Sequence, residues 1–141
     1  MRKKTLRSGS LALSVLLLMG FAMKTMAAPA NQMYYEIKIY RINSTAQAGV
    51  IDKYLKDAYI PAMHRAGIAK IGVFKPIETD TAYGKLIYVF IPYKNYNQYF
   101  GLESILTADK VYQAAGKDFI DAPYTDPPFI RYESTFLKAF S

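Results

Sequence analysis

The stretch from Met33 to Ile42 reads MYYEIKIYRI, and its side chains alternate between two sides. Tyr35, Ile37 and Ile39 fall on one side. An alternation with a period of two residues is typical of a β-strand with one buried face. We expect the isoleucine side to face the core and the charged side to face away from it. The charged side carries Tyr34, Glu36, Lys38 and Tyr40.

This strand is followed by a predicted helix that runs to Gly67. Asn43, Ser44 and Thr45 are turn and capping candidates at its start. Because proline lacks a backbone N–H, Pro61 predicts a kink or a broken turn near residues 57–61, so the helix could form two pieces. The apolar positions at helical spacing are Ile51, Tyr54, Leu55, Ala58, Ala62 and Ala66.

The rest of the chain predicts three more strands and a second helical segment. Pro76 near the end of the second strand is typical of an edge strand, and Pro92 is expected to end the third. The predicted elements are a strand at 69–77, a turn at 78–84, a strand at 85–91, a short helix at 95–100, a longer helix at 104–119, a proline-rich loop at 121–128 and a last strand at 129–140.

The element order β-α-β-β-α-β predicts an α+β protein with a ferredoxin-like fold and a four-stranded antiparallel sheet. Both crossovers then lie on one side of the sheet, with the strands in the order 4-1-3-2. The other face stays open, and its aromatic side chains predict an interface or a ligand site. A second sheet packed against it would form a homodimer. The alternation assigns to this face Tyr34, Glu36, Lys38, Tyr40, Phe74, Tyr88, Phe90, Arg131 and Glu133.

Residues 1–30 have the layout of a secretory signal peptide. A basic start precedes an apolar run from Leu11 to Met23, and small residues follow. We expect a signal at 1–27 with cleavage after Ala27, or as late as Ala30, and a single domain at 31–141. The apolar run is shorter than the roughly 20 residues that span a bilayer. The sequence thus predicts an exported protein, periplasmic or secreted, with no membrane anchor after cleavage.

The net charge of +7 does not indicate a nucleic-acid partner. Five of the 18 basic residues lie in residues 1–30, which leaves 13 basic against 11 acidic residues beyond it. The remaining basic residues are scattered among acids and form no run along which a phosphate backbone would bind. The chain also has no cysteine, which excludes disulfides and thiolate metal sites.

Four stretches of the chain resemble the NIPSNAP family. They are YYEIKIYRI at 34–42, YIPAMHRAGIAKIGVFKPI at 59–77, IYVFIPYKNYNQY at 87–99 and YQAAGKDFIDAPYTDPPFIRYES at 112–134, and the last is the most specific. The resemblance implies a ferredoxin-like domain of the dimeric α/β barrel superfamily. That superfamily includes small monooxygenases, haem-degrading enzymes and proteins without known activity, and no reaction or cofactor is established for NIPSNAP-like proteins.

His64 is the only histidine of the chain and the candidate catalytic base, because histidine exchanges protons near neutral pH. Its helical position lies away from the apolar stripe, which favours an exposed side chain. One histidine without a second ligand does not indicate a metal. The sequence shows no glycine-rich phosphate loop and no serine elbow. It therefore predicts neither a metal nor a cofactor.

The residues assigned to the open face are also the candidate ligand-binding residues. Glu36 and Lys38 lie on the strand next to that of Arg131 and Glu133. They would form cross-strand ion pairs, which we favour, or the polar floor of a ligand cavity. The tyrosines would line a pocket for a flat apolar ligand or form the seam of the dimer.

Three functional hypotheses follow from these features. The leading one is an exported NIPSNAP-like homodimer that binds a small apolar or aromatic ligand between sheet and helices, without demonstrated catalysis. The second is a cofactor-independent or haem-handling monooxygenase-like enzyme in which His64 is the base. The third is a structural or interaction module whose open face serves only assembly.

Overall fold

The computed structural model describes residues 33–140, so the predicted signal peptide lies outside the described residues. The sheet is built from β1 (Tyr34–Arg41), β2 (Gly72–Phe74), β3 (Leu86–Tyr93) and β4 (Arg131–Lys138). The helices are α1 (Thr45–Tyr54), α2 (Ile60–Arg65), α3 (Tyr96–Ala108), α4 (Lys110–Ala115) and α5 (Lys117–Ile120), and a π-helical turn (Leu55–Tyr59) joins α1 to α2.

The first helical segment is interrupted where its proline predicts an interruption. Ser44 caps α1 by accepting a hydrogen bond from the backbone N–H of Gln47. Pro61 lies in the first turn of α2, where a missing N–H is tolerated, and the preceding turn widens into the π-helical turn. The segment ends at Gly67, whose φ of +81° favours glycine. The expected break of the segment into two helical pieces is thus confirmed.

The second helical segment differs from the prediction of a short helix followed by a longer one. The helix α3 begins after Asn95, whose side chain accepts from the N–H of Gln98, and it continues through the predicted break. Asp109 then adopts extended backbone angles and caps α4 by accepting from the N–H of Tyr112. Capping by this carboxylate therefore separates two helices at a position that periodicity alone does not mark.

The sheet has the order β2-β3-β1-β4 with antiparallel pairs throughout, which confirms the predicted 4-1-3-2 arrangement. The strand β2 is an edge strand, as predicted, but only three residues long. The prediction that Pro92 ends β3 was wrong, because the strand continues to Tyr93. Pro92 pairs only with Tyr35 of β1, because the pairing of β3 with β2 ends at Phe90. The missing N–H of Pro92 therefore removes no hydrogen bond between strands.

The prediction was also wrong about which face of β1 packs against the helices. Glu36 pairs with Ile91 and Lys38 pairs with Val89, and both of these β3 residues are fully buried. Paired residues in antiparallel strands project to the same face, so the even-numbered side of β1 faces the helices. Tyr34, Glu36, Lys38 and Tyr40 are therefore not on the open face.

The core lies between this side of the sheet and the helices. Its aliphatic and aromatic side chains come from β1, β3, α1, the π-helical turn, α2, α3 and α4. Its most buried members are Ile51, Met63, Ile87, Val89, Ile91 and Tyr93. The opposite face carries Tyr35, Ile37, Ile39, Phe74, Tyr88, Phe90, Leu137 and the charged residues Arg41, Arg131 and Glu133. Phe74 keeps 57% and Phe90 36% of its surface exposed. This open face is thus an apolar surface with charges at one corner.

Among residues 33–140 no helix is long and apolar enough to cross a membrane. The same residues contain no group of three or more histidine, cysteine, aspartate or glutamate side chains that could hold a metal ion.

Candidate ligand-binding cavity

A cavity of about 680 Å³ lies between the sheet and the helices. Its floor comes from three adjacent strands: Glu36 and Lys38 of β1, Tyr93 of β3, and Tyr132 and Ser134 of β4. Its walls come from the helical segments and consist of Tyr54, Tyr59, Tyr99, Phe100, Leu102, Glu103, Leu106, Thr107, Tyr112, Gln113 and Ile120. The arrangement combines a small polar floor with largely aromatic and aliphatic walls, which is typical of small-molecule sites.

Glu36 is the centre of the floor and the one buried charged residue in the described part of the chain, with 3% of its surface exposed. The hydroxyl of Tyr93 donates to its Oε2 at 2.7 Å, and that of Ser134 donates to its Oε1 at 2.6 Å. The Nζ of Lys38 lies 3.1 Å from the same Oε1. A buried carboxylate is stable only with such partners, so β1, β3 and β4 each contribute one.

Lys38 supplies the positive charge beside this carboxylate. Its Nζ also donates to the hydroxyl of Tyr132 at 3.0 Å and lies 5.6 Å from the ring centroids of both Tyr59 and Tyr132. Burial lowers the pKa of the Lys38 ammonium, but the attraction of Glu36 and Tyr132 outweighs burial, and the net pKa lies above 10.5. The side chain therefore acts as a charged donor near neutral pH and not as a nucleophile.

Tyr59 ends the π-helical turn, is 3% exposed, and lines the cavity. Its hydroxyl is buried and has no hydrogen-bond partner among the described residues. Burial, followed by the negative potential of Tyr93 and Glu36, raises the pKa of this hydroxyl far above its ordinary value. Tyr59 is thus a neutral donor without an acceptor within residues 33–140.

The wall opposite the floor is held by stacked rings. The hydroxyls of Tyr54 and Tyr112 share a hydrogen bond of 2.8 Å, and the ring of Tyr54 stacks on Phe119 with centroids 3.9 Å apart. On the other side Tyr99 stacks on Phe136 at 4.0 Å. Burial raises the pKa of the Tyr54 hydroxyl, followed by its hydrogen bond to Tyr112. These aromatic layers give the cavity rigid walls.

A second depression of similar volume, about 700 Å³, lies at the edge of the sheet between Arg41 and the turn before β3. Apart from Ile42, its lining residues are partly or fully exposed, and it holds no buried charged side chain. Buried polar groups are the better sign of a specific site. We therefore assign the candidate site to the sheet–helix cavity.

The structure distributes the sequence-predicted site residues over three places. Glu36 and Lys38 line the cavity. Tyr34 packs beside it on Phe136. Tyr40 also packs beside it, in a cluster with Phe119, Phe129 and Tyr132. Phe74, Tyr88, Phe90, Arg131 and Glu133 lie on the open face. His64 is exposed on α2 and does not line the cavity.

The expected ion pairs between β1 and β4 do not connect Glu36 and Lys38 with Arg131 and Glu133. These two sets project from opposite faces of the sheet, so Glu36 pairs with Lys38, while Glu133 pairs with Arg131 at 3.2 Å and with Arg41 at 2.8 Å. Glu36 and Lys38 thus form an ion pair within one strand and line the cavity.

Sequence reasoning missed the tyrosines that complete the cavity. Tyr132 and Ser134 alternate to the helix-facing side of β4, opposite Tyr40 and Lys38 in the register with β1. That alternation is visible in the sequence, but it identifies floor residues only once β1 is assigned to the correct face. The position of Tyr59 depends on the π-helical turn, which no local pattern specifies.

The buried ion pair leads to a prediction about stability. Glu36→Gln should lower the free energy of unfolding by about 3 kcal/mol, because it leaves the Lys38 ammonium without a counter-charge. Adding Lys38→Met should recover most of this loss. Urea denaturation of both variants measures these changes, with Glu133→Gln as the control at an exposed pair, where little change is expected. A double variant as unstable as Glu36→Gln would contradict the pairing.

A second prediction concerns alkaline pH. The pKa values of Tyr54, Tyr59 and Tyr93 lie above 10.0 in the folded protein, chiefly because of burial, and that of Lys38 lies above 10.5. Raised folded-state values mean that the unfolded chain releases protons first, so stability is fully present below about pH 10 and is lost above it. Circular dichroism and tyrosinate absorbance, followed from about pH 8 to pH 12, should show a fraction of the tyrosines ionising only with unfolding. Ionisation of every tyrosine before unfolding would contradict this.

Comparison with known proteins finds similarity only at the level of structure. No protein-family model and no curated protein matches the chain. A NIPSNAP family protein of unknown function from Agrobacterium tumefaciens superposes with a TM-score of 0.59 at 17% identity, over 78% of this chain and 90% of the other. A NIPSNAP-like domain protein from Burkholderia xenovorans gives 0.59 at 19% identity, over 79% and 88%.

A third similar structure is a dimeric protein of unknown function with a ferredoxin-like fold from Bacteroides fragilis. Its TM-score is 0.50 at 12% identity, over 76% of this chain and 96% of the other. At these identities the similarity concerns the fold. The chain therefore has the α+β ferredoxin-like fold that NIPSNAP-family structures share, as its sequence predicts.

Proposed function

We propose that the protein is an exported, homodimeric NIPSNAP-like binding protein that holds a small apolar or aromatic ligand in the sheet–helix cavity. The observation that carries this proposal is the cavity itself, with a buried and paired Glu36 at its floor and rings along its walls. Its volume of about 680 Å³ falls in the range of small-molecule sites. A chain that needed only a packed core would fill this space with side chains.

The aromatic walls favour a flat ligand. Tyr54, Tyr99 and Tyr112 present ring surfaces whose orientation is held by stacking or by a hydrogen bond. Preformed aromatic surfaces bind planar apolar molecules at little entropic cost. The floor contributes the few polar contacts that orient such a ligand.

The open face supports a homodimer. It presents partly exposed Tyr35, Phe74 and Phe90, the first and last of which stack with centroids 5.2 Å apart. An apolar surface of this kind on a soluble protein marks an interface. The occupant we propose is a second copy of this chain, because similar structures of this fold are described as dimeric.

The alternative of a monooxygenase-like enzyme with His64 as its base has no geometric support. His64 lies on the exposed side of α2 and not along the cavity wall. The carboxylate of Glu36 is already engaged by three donors and is not free to take a proton from a substrate. Ligand binding without catalysis therefore agrees better with the geometry of the cavity floor than the enzyme hypothesis does.

Ligand binding is tested on the protein purified from a bacterial host after export and processing. Apolar and aromatic compounds that bind should raise Tm by several degrees at about 100 times their Kd. Leu106→Trp should abolish the shifts, because it fills the cavity from a half-buried wall position. The adjacent Ile105→Trp, on an exposed position outside the lining, should leave them unchanged. No shift across a broad library, or equal shifts in the Leu106→Trp variant, would contradict cavity binding.

Assembly and export are tested on the same sample. Phe90→Asp should convert a dimer into a monomer in sedimentation or light-scattering measurements, because it buries a charge in the proposed apolar interface. Val111→Asp, at an exposed position of α4, is the control that should stay dimeric. A wild-type protein that is monomeric at high concentration would contradict the homodimer.

Mass spectrometry should find an N-terminus at Ala28, or at Asn31 for the later cut. An intact Met1 would contradict export with signal cleavage.

A further inference from the structure

We infer that the ligand presents a neutral hydrogen-bond acceptor, such as a ketone or amide carbonyl oxygen, to free donors on Tyr132 and Lys38 of the cavity floor and on Tyr59 of its wall. This inference rests on the proposed cavity binding and adds the polar chemistry of the ligand. It follows from a count of donors and acceptors, from the charge of the floor and from the unpaired hydroxyl of Tyr59.

The strongest acceptors of the floor are already engaged. Both oxygens of Glu36 are engaged, Oε2 by the hydroxyl of Tyr93 and Oε1 by Ser134 and Lys38. The hydroxyl oxygen of Tyr132 accepts from Lys38. A ligand that brought a further donor would find these acceptors occupied.

The donors are not used up. The hydroxyl of Tyr59 has no partner within residues 33–140. Tyr132 accepts a bond through its oxygen, which leaves its own proton available. Lys38 carries three N–H donors, of which two are directed at Glu36 and Tyr132. Tyr132 and Lys38 of the floor and Tyr59 of the wall therefore keep donors that a ligand oxygen can engage.

The charge of the floor favours a neutral ligand. The carboxylate of Glu36 and the ammonium of Lys38 lie 3.1 Å apart and balance each other. A ligand carboxylate would be placed beside a buried carboxylate in a poorly solvated site, where like charges repel strongly. A ligand cation would be repelled in the same way by the ammonium of Lys38. A carbonyl oxygen receives the donors without adding a charge.

The unpaired hydroxyl of Tyr59 is a separate observation that points the same way. A buried donor without an acceptor destabilises a fold, and native proteins rarely retain one without a reason. Here the donor lies at the end of a π-helical turn, a feature that recurs at functional sites. An acceptor that arrives with the ligand would satisfy it.

The test uses three probes with one ring system: acetylnaphthalene, ethylnaphthalene and naphthoate. They carry a ketone, no polar atom and a carboxylate on the same aromatic body. By titration calorimetry we expect acetylnaphthalene to bind about tenfold more tightly than ethylnaphthalene, and more tightly than naphthoate. Tyr59→Phe should reduce the ketone preference by about fivefold while leaving the affinity for ethylnaphthalene unchanged.

Thr107→Val is the matched control for these titrations. It also removes a hydroxyl from the cavity lining, but that hydroxyl donates to the backbone oxygen of Glu103 and is not free. The ketone preference should therefore persist in this variant. Equal binding of acetylnaphthalene and ethylnaphthalene, or tighter binding of naphthoate, would overturn the inference and leave cavity binding intact. Binding of none of the three would count against both.

A measurement without ligand gives a second readout. Tyr59→Phe removes a hydroxyl that has no partner in the described part of the chain, so its Tm should equal or exceed that of the wild type by a few degrees. Tyr93→Phe removes a hydroxyl that donates to Glu36, so its Tm should fall. If Tyr59→Phe lowers Tm as much as Tyr93→Phe, the hydroxyl is paired within the protein and the inference is wrong.

Discussion

The buried carboxylate of Glu36 is the constraint on which the arrangement of the sheet depends. A charge that is 3% exposed requires partners, and these come from the neighbouring strands: Tyr93 of β3 and Ser134 of β4, with Lys38 from its own strand. Shifting either neighbour by one residue would turn its partner to the other face and leave the carboxylate unpaired. The ion pair therefore specifies register as well as charge balance, at a cost in desolvation that an apolar pair would not have.

The same pair explains why the space under the helices is not filled. An apolar floor would draw the wall side chains onto it, since cores pack to high density. A polar floor does not favour this collapse. The widened backbone turn at Leu55–Tyr59 also places a tyrosine above the floor and not an aliphatic side chain. Because Glu36 and Lys38 of β1 face the helices, the alternate residues Tyr35, Ile37 and Ile39 lie on the open face. One strand thus supplies both a polar cavity floor and an apolar outer surface.

Much of the fold was predictable from the sequence, because element order and strand periodicity are local properties and crossover rules convert them into the sheet order. The face of β1 was not, since tyrosines occur on both of its sides and the charges at 36 and 38 suggested exposure to water. Only the pairing of Glu36 with Ile91 decides the matter, and it is a long-range property. Glu36 and Lys38 were identified as candidates on chemical grounds, but their orientation was wrong. Tyr59 was not identified, because its position results from Pro61 and from the packing of a π-helical turn.

The protonation chemistry of the cavity also bears on what it can do. Burial raises the pKa of Tyr54, Tyr59 and Tyr93, while for Lys38 the attraction of Glu36 and Tyr132 outweighs burial, which lowers its pKa. Each of these groups therefore keeps its proton throughout the neutral range. General base catalysis requires the opposite, a group that loses its proton near the working pH. The one histidine, His64, lies outside the cavity. A site made of fixed donors changes little with pH and is better suited to holding and orienting a molecule than to abstracting a proton from it.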